Sequence, residues 1–228
     1  METRTYPRPE LLPREPRRLE LAILISGGGT TMANLADRIR EGRLDARISI
    51  VVSSRSAVEG ISRAGDRGLE TVVLARKRFL GADGAFDSDG YTKALMELLA
   101  SRKCDLIALA GFMSRLGPAV FERYPVVNVH PALLPRYGGA GMYGRHVHEA
   151  VLAAGEMESG CSVHFVDPQY DHGAIIAQRR VPVLSDDTPE TLADRVQSAE
   201  RELYPEVIGW FAAGLVRVEG GRAIVIRT

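Results

Sequence analysis

The sequence predicts an α/β protein with a doubly wound, mostly parallel twisted sheet, helices on both faces and a C-terminal hairpin. Two observations predict this fold. Short runs rich in apolar and β-branched residues recur from residue 19 onward, and the segments between them space their apolar residues by three to four positions. This alternation is typical of parallel strands joined by crossover helices.

The first half of the chain supplies the parallel part of the sheet. Strands are predicted at residues 20–25, 47–53, 70–74, 105–109 and 126–129, and helices at 32–41, 58–67 and 91–101. Because crossovers between parallel strands are right-handed, these elements predict an open sheet. Ligands of such sheets bind beyond the carboxyl ends of the strands.

The second half has a different pattern. Residues 162–166 and 174–183 predict two strands joined by a polar turn, and an antiparallel pairing is plausible. A long helix is predicted from the N-cap Thr188 to Ala213, with Pro205 expected to kink or split it. Gly214 ends the helix, and 215–218 with 223–226 predict a closing hairpin.

Composition restricts the classes of function. The chain has 228 residues, 45% hydrophobic and 25% charged, and equal numbers of basic and acidic residues (29 each). A formal net charge of zero supplies no general attraction to nucleic acid or to an anionic membrane. No apolar stretch approaches the ~20 residues of a membrane span, and Cys104 and Cys161 are expected to be buried thiols. We therefore expect a soluble cytoplasmic protein, monomeric or homodimeric, without nucleic-acid or membrane partners.

The chain divides at residue 18. Residues 1–18 contain four prolines among alternating charges, which excludes a regular helix or a central strand. We expect this segment to be a peripheral N-terminal extension, and residues 19–228 to form a single domain.

A glycine-rich turn follows the first predicted strand. Ser26 is followed by three glycines and then Thr30 and Thr31. Glycines bring backbone N–H groups close to a ligand, and the start of the next helix favours an anion. The spacing lacks the dinucleotide-binding G-x-G-x-x-G pattern and the P-loop lysine. The turn therefore predicts a monophosphate site, and the alternative is a tight turn without a ligand.

Two polar side chains end the fifth predicted strand. Asn128 and His130 are two positions apart, so they share one face of the strand at its carboxyl end. An amide donor and an imidazole would then meet in the expected ligand site. The alternative is a structural role, in which the two side chains hold the following loop by hydrogen bonds.

Around these residues the sequence resembles the formyltransferase family that uses 10-formyltetrahydrofolate. Asn-x-His-Pro-x-Leu-Leu-Pro at 128–135 is similar to the signature of that family. Further similar segments follow the family order at 25–29, 109–113, 162–166, 170–173, 195–200 and 203–205. The resemblance covers about residues 19–213 and implies the formyltransferase fold.

The resemblance implies formyl transfer to the amine of glycinamide ribonucleotide in purine synthesis. Family members that act on methionyl-tRNA, or that deformylate the folate, need a further domain, which 228 residues do not accommodate. Direct attack of the amine would form a tetrahedral oxyanion, which Asn128 and His130 would stabilise. The resemblance places Asp171 beside the histidine, where a carboxylate orients the ring and favours its charged form. It requires no metal and no covalent intermediate on the enzyme.

The resemblance also assigns the binding residues. On the ribonucleotide side it assigns Gly29, Thr30, Thr31, Gln197, Ser198, Ala199 and Glu200. On the folate side it assigns Met113, Ser114, Arg115, Leu116, Asn128, Asp167, Pro168, Gln169, Tyr170 and Asp171.

The chain departs from the family pattern at several positions. Thr31 replaces a common asparagine, and Ser114 and Asp89 lie where arginines often bind the folate glutamate tail. The loop at 138–144 is longer and richer in glycine than in relatives, which suggests a mobile lid.

The remaining histidines have alternative roles. A metal site at His146 and His148 is disfavoured because their spacing lacks helical ligand geometry, and hydrogen bonding within a loop is expected instead. His164 either reaches the active-site face or is a satisfied core histidine. The rival functions are a formyltransferase for another amine, such as a nucleotide amino sugar, and a noncatalytic folate- or nucleotide-binding protein.

Overall fold

The computed structural model of the protein describes residues 6–226, so residues 1–5 of the expected extension and residues 227–228 lie outside it. A seven-stranded sheet has the order β3-β2-β1-β4-β5-β6-β7. Strands β1 to β5 are parallel, and β6 and β7 continue the sheet antiparallel. The strands are β1 (Leu19–Ile25), β2 (Ala46–Ser53), β3 (Thr71–Val73), β4 (Leu106–Ala110), β5 (Val126–His130), β6 (Glu158–Phe165) and β7 (Ile175–Pro182).

Helices cover both faces of the sheet. Alternate side chains of the strands divide between two hydrophobic clusters, as expected for a strand buried on both faces. One cluster packs under α1, α5 and α6, and the other under α3 and α4. The helices are α1 (Thr30–Arg40), α2 (Glu59–Gly65), α3 (Ser88–Ala100), α4 (Pro118–Arg123), α5 (Arg145–Ala153) and α6 (Pro189–Ala212).

The predicted fold class is confirmed, including the antiparallel pair and the hairpin of β8 (Val216–Glu219) and β9 (Arg222–Val225). The five parallel strands lie within one residue of their predicted bounds. Strand β6 begins four residues before the predicted start, because Glu158, Ser159 and Gly160 pair with β7 without an apolar signal. Helices α4 and α5 were not predicted.

Helix α6 is one continuous element despite its internal proline. Pro205 has no N–H to donate to the carbonyl of Arg201. That carbonyl instead accepts a 2.9 Å hydrogen bond from the side-chain amide of Asn34 on α1. The contact satisfies the backbone group that the proline leaves free. Of the two expected outcomes, a kink or a split, the split does not occur.

A buried tyrosine of α6 forms hydrogen bonds with two neighbouring strands of the sheet, β4 and β5. The hydroxyl of Tyr204 lies 3.0 Å from the carbonyl oxygen of Leu109 on β4 and 3.1 Å from that of Val127 on β5. Both carbonyls accept from it, and its burial raises the pKa of the phenol. The contact fixes α6 against the strand that carries Asn128.

The segment before β1 packs on the body of the protein. Leu12 belongs to the larger hydrophobic cluster, and the Arg17 N–H donates to the Ala212 carbonyl at the end of α6. Gly214, which has φ +67°, lies so close that an added Cβ would sit 2.8 Å from the backbone nitrogen of Glu15. None of the helices within residues 6–226 is long and apolar enough to cross a membrane.

An ion pair near the start of α6 makes stability depend on pH. Arg195 donates to both carboxylate oxygens of Asp187 at 2.6 and 2.9 Å, and the carboxylate is almost fully buried. The pKa of the Asp187 carboxyl lies well below its usual range, above all because of the hydrogen bonds from Arg195. Hydrogen bonds from the Leu184 N–H and the Thr191 hydroxyl lower it further. A carboxyl with a lowered native pKa stabilises the fold above its unfolded pKa of about 4, and this contribution is lost as the pH falls.

We therefore expect Asp187→Asn to lower Tm at pH 7, and the difference from wild type to shrink steadily between about pH 5 and pH 2. Thermal unfolding across this range measures the effect. Asp186→Asn, at the exposed neighbouring position, is the control and should change Tm little. A difference for Asp187→Asn that is equally large at pH 7 and pH 2 would show that the charge of the pair is not its source.

Candidate active site

A cavity of about 880 Å³ opens at the carboxyl ends of β4 and β5. Leu109, Asn128 and His130 form its floor together with His164 of β6. Its walls come from the loop after β4, the glycine-rich segment before α5, the turn between β6 and β7, and the first half of α6. The cavity therefore lies where a doubly wound sheet is expected to bind ligands.

Strand register brings three polar side chains to one face. Asn128 and His130 share a face of β5, and Asn128 is paired directly with His164 on antiparallel β6. The side-chain nitrogen of Asn128 lies 3.4 Å from His164 Nε2. His164 Nδ1 donates to the Phe165 carbonyl at 2.8 Å, so the neutral ring accepts from the asparagine amide through Nε2. That contact orients the amide, whose second N–H is free to serve a ligand.

The predicted carboxylate reaches both histidines. Asp171 Oδ2 lies 3.6 Å from His130 Nδ1, and Asp171 Oδ1 lies 3.6 Å from His164 Nε2. Both distances are longer than direct hydrogen bonds. The carboxylate is held by the Gly139 N–H, which donates to Oδ2 at 2.9 Å. Asp171 has φ +52°, a conformation that aspartate and asparagine adopt more easily than most residues.

The two histidines differ in their surroundings. His130 Nε2 donates to the Tyr137 carbonyl at 2.8 Å, which turns Nδ1 towards Asp171. His164 is 1% exposed, and burial lowers the pKa of its imidazole although the Phe165 carbonyl and the Asp171 charge oppose this. His164 is therefore neutral at neutral pH. It belongs to the active-site face, which decides between the two interpretations left open by the sequence.

The residues expected on the folate side all line the cavity. Met113 is tied to the glycine-rich turn, because its N–H donates to Ser26 Oγ at 2.9 Å. Arg115 lies 5.8 Å over the ring of Tyr170 across the mouth. Asp167 shapes the opposite wall by accepting from the Gln169 N–H at 2.7 Å and from His172 Nδ1 at 2.9 Å. The mouth thus combines exposed apolar side chains with the cation Arg115.

The residues expected on the ribonucleotide side divide into two groups. Thr31, Gln197 and Glu200 line the cavity, whereas Gly29, Thr30, Ser198 and Ala199 do not. Within residues 6–226 the Glu200 carboxylate has no hydrogen bond or salt bridge, and its burial raises its pKa to about 7. A partly buried carboxyl without a protein partner is suited to accept hydrogen bonds from a ligand.

The glycine-rich turn has the predicted geometry. Strand β1 ends at Ile25, and Gly29 with φ +71° caps α1. An added Cβ at Gly29 would sit 2.7 Å from Gly60 Cα, whereas at Gly28 it would meet only Glu59 Oε2 at 3.9 Å. The first N–H groups of α1 have no partner within the helix. They remain available to an anion, as the prediction requires.

Sequence reasoning missed the contribution of α5. Tyr143, Arg145 and His148 line the cavity, and the expected hydrogen bonding of His146 and His148 within a loop is wrong because both residues lie on a helix. The spacing of Val147 and Val151 by four residues was the available signal for this helix. Among the described residues, no group of three His, Cys, Asp or Glu side chains is arranged to hold a metal ion.

Comparisons with known proteins show the family to which the chain belongs. The model of the formyl transferase family matches residues 19–208. A phosphoribosylglycinamide formyltransferase of Haemophilus influenzae is 35% identical over 90% of this chain and 92% of its own length. The chain spans only 66% of a chloroplastic phosphoribosylglycinamide formyltransferase of Arabidopsis thaliana and 20% of a trifunctional purine biosynthetic protein of Bos taurus, which are 36% and 38% identical to it.

Solved structures show the same fold. Glycinamide ribonucleotide transformylase 1 from Symbiobacterium toebii matches with a TM-score of 0.81 at 34% identity. The phosphoribosylglycinamide formyltransferase of Coxiella burnetii also matches with a TM-score of 0.81, at 36% identity. Each match covers 92% of this chain and 94% of the other. The chain therefore belongs to the formyl transferase family.

Proposed function

We propose that the protein transfers a formyl group from 10-formyltetrahydrofolate to the amine of glycinamide ribonucleotide in purine biosynthesis. The observation that supports this most directly is the meeting of Asn128, His130 and Asp171 in one cavity. An amide donor, an imidazole and a carboxylate are the groups that acyl transfer between two amines needs.

The geometry gives each residue a role. The acceptor amine attacks the formyl carbon, and the carbonyl electron pair moves to oxygen. The free amide N–H of Asn128 donates to that oxyanion. His130, whose Nε2 donates to the Tyr137 carbonyl, holds its Nδ1 3.6 Å from Asp171. Asp171 accepts the proton that the attacking nitrogen must lose. When the oxyanion collapses, the bond to the folate nitrogen breaks and that nitrogen receives the proton that Asp171 accepted.

The two substrates fit different parts of the cavity. The apolar mouth at Met113 and Tyr170 suits the flat rings of the folate. Thr31, Gln197 and Glu200 in another part of the lining suit a polar ribonucleotide. The turn at 27–29, which adjoins Thr31 but is not part of the lining, would take its phosphate. Arg115 is the cation at the mouth that would meet the glutamate carboxylates of the folate.

The identity of the acceptor is tested by comparing two acceptor substrates in separate reactions. Purified protein is incubated with 10-formyl-5,8-dideazafolate and either glycinamide ribonucleotide or a nucleotide amino sugar, and formylated product is quantified. We expect turnover with the ribonucleotide only. Turnover with the amino sugar alone would reassign the acceptor, and binding of both ligands without turnover would indicate a noncatalytic binding protein.

Gly28→Asp tests the phosphate site. The added side chain fits the backbone, and a carboxylate before α1 is favourable for the helix, but it occupies the place of an anion. We expect the KM for glycinamide ribonucleotide to rise roughly tenfold or more, with little change in the KM for the folate. Gly28→Ala is the matched control and should keep both values. An equal rise in KM for both substrates would indicate that the phosphate binds elsewhere.

A further inference from the structure

His148 is a buried polar side chain of the cavity wall to which the proposed mechanism assigns no role. It lies on α5, is 3% exposed and lines the cavity. Its Nδ1 is enclosed by protein and has no hydrogen-bond partner. Within residues 6–226 neither ring nitrogen makes a hydrogen bond. Because buried polar groups are nearly always paired in folded proteins, an unpaired ring nitrogen here points to a role beyond packing.

The two nitrogens of the ring face different surroundings. Nδ1 is enclosed, whereas Nε2 is not among the enclosed atoms. Since the side chain lines the cavity, Nε2 is the nitrogen that a ligand can reach. Burial, and to a lesser extent the nearby His130, lower the pKa of His148. The ring is neutral at neutral pH and offers either one donor or one acceptor at Nε2.

The fold places His148 on the acceptor side of the cavity. Helix α5 packs against α6, and Arg145 forms an ion pair with Glu190 at the start of α6. His148 lies one turn after Arg145, and Ala193 and Gln197 follow Glu190 along α6 in the cavity wall. The residues of the mouth, at 113–116 and 167–170, belong to other elements.

We infer that His148 binds the acceptor substrate through a hydrogen bond from or to its Nε2, close to the reacting amine, and so contributes to the choice of acceptor. The inference rests on the proposed function, and it specifies a polar, amine- or amide-bearing acceptor. A ligand group at Nε2 would pair the ring nitrogen that faces the cavity.

Three substitutions test which ring nitrogen matters. His148→Gln places an amide near the position of Nε2, His148→Asn places one near Nδ1, and His148→Phe keeps the ring shape without polar atoms. We expect His148→Phe and His148→Asn to raise the KM and the calorimetric Kd for glycinamide ribonucleotide by roughly tenfold. His148→Gln should recover most of the affinity. The KM for 10-formyl-5,8-dideazafolate should change little in all three.

His146→Gln is the matched control, because His146 lies on the same helix but is exposed and does not line the cavity. It should keep wild-type constants. Unchanged ribonucleotide affinity in His148→Phe, or equal losses for both substrates in all three variants, would overturn the inference. Wild-type protein that binds the ribonucleotide without formylating it would refute the proposed function while the affinities still test His148. Wild-type protein that does not bind it refutes both.

Discussion

Replacing Asp171 with asparagine is expected to lower kcat by roughly 10²-fold or more while the affinities for both substrates change little. The carboxylate lies 3.6 Å from His130 Nδ1 and 3.6 Å from His164 Nε2. In the proposed transfer this carboxylate receives the proton of the attacking amine. Asparagine removes that charge, so the loss falls on turnover rather than on binding.

The substitution leaves the local structure in place. Asparagine tolerates the φ of +52° at this position, and its carbonyl oxygen can still accept from the Gly139 N–H. Asp66→Asn, at an exposed position that ends α2, is the control for the loss of one negative charge and should keep wild-type turnover. Steady-state kinetics with both substrates measure the effect. Near-parent kcat in Asp171→Asn would remove the carboxylate from the proton transfer.

Replacing Asn128 with aspartate is expected to lower kcat by roughly 10²- to 10³-fold, the effect of losing one oxyanion donor. The side chains have the same shape, so packing on β5 is retained. The change removes the N–H that faces His164 Nε2 at 3.4 Å and the second N–H available to the oxyanion. It also adds negative charge where negative charge must develop.

Single-turnover rates separate this effect from binding. With saturating substrates the chemical step of Asn128→Asp should be slow although the ribonucleotide still binds. Asn128→Ser, which keeps a short hydroxyl donor, should retain more activity than the aspartate variant. A chemical step in Asn128→Asp within a few-fold of wild type would show that the oxyanion is stabilised elsewhere.

Much of the fold could be predicted because buried parallel strands are continuous apolar runs. Helices α4 and α5 were missed because their signals in the sequence are weak. Helix α4 has six residues, too few to show a helical period. Helix α5 follows a glycine-rich segment and has nine residues, and short helices of this kind are stabilised mainly by tertiary packing.

The candidate site was predictable only in part. The two-residue spacing of Asn128 and His130 fixes their common face without a structure. The convergence of His164 on Asn128 depends on the antiparallel register of β5 and β6, which the sequence does not specify. The contacts of Asp171 with Gly139 and of His130 with Tyr137 depend on the conformation of the loop after β5. The sequence does not specify that conformation. The position of His148 depends on the packing of α5 against α6.

Direct transfer of the formyl group between two amines in this cavity fixes the stoichiometry of the reaction. Absorbance follows the conversion of 10-formyl-5,8-dideazafolate to its deformylated product, and formylated ribonucleotide is quantified in the same reaction. We expect one formylated ribonucleotide for each folate deformylated, and no deformylation when glycinamide ribonucleotide is omitted. Deformylation at an equal rate without the ribonucleotide would contradict direct transfer, because the acceptor would then be water.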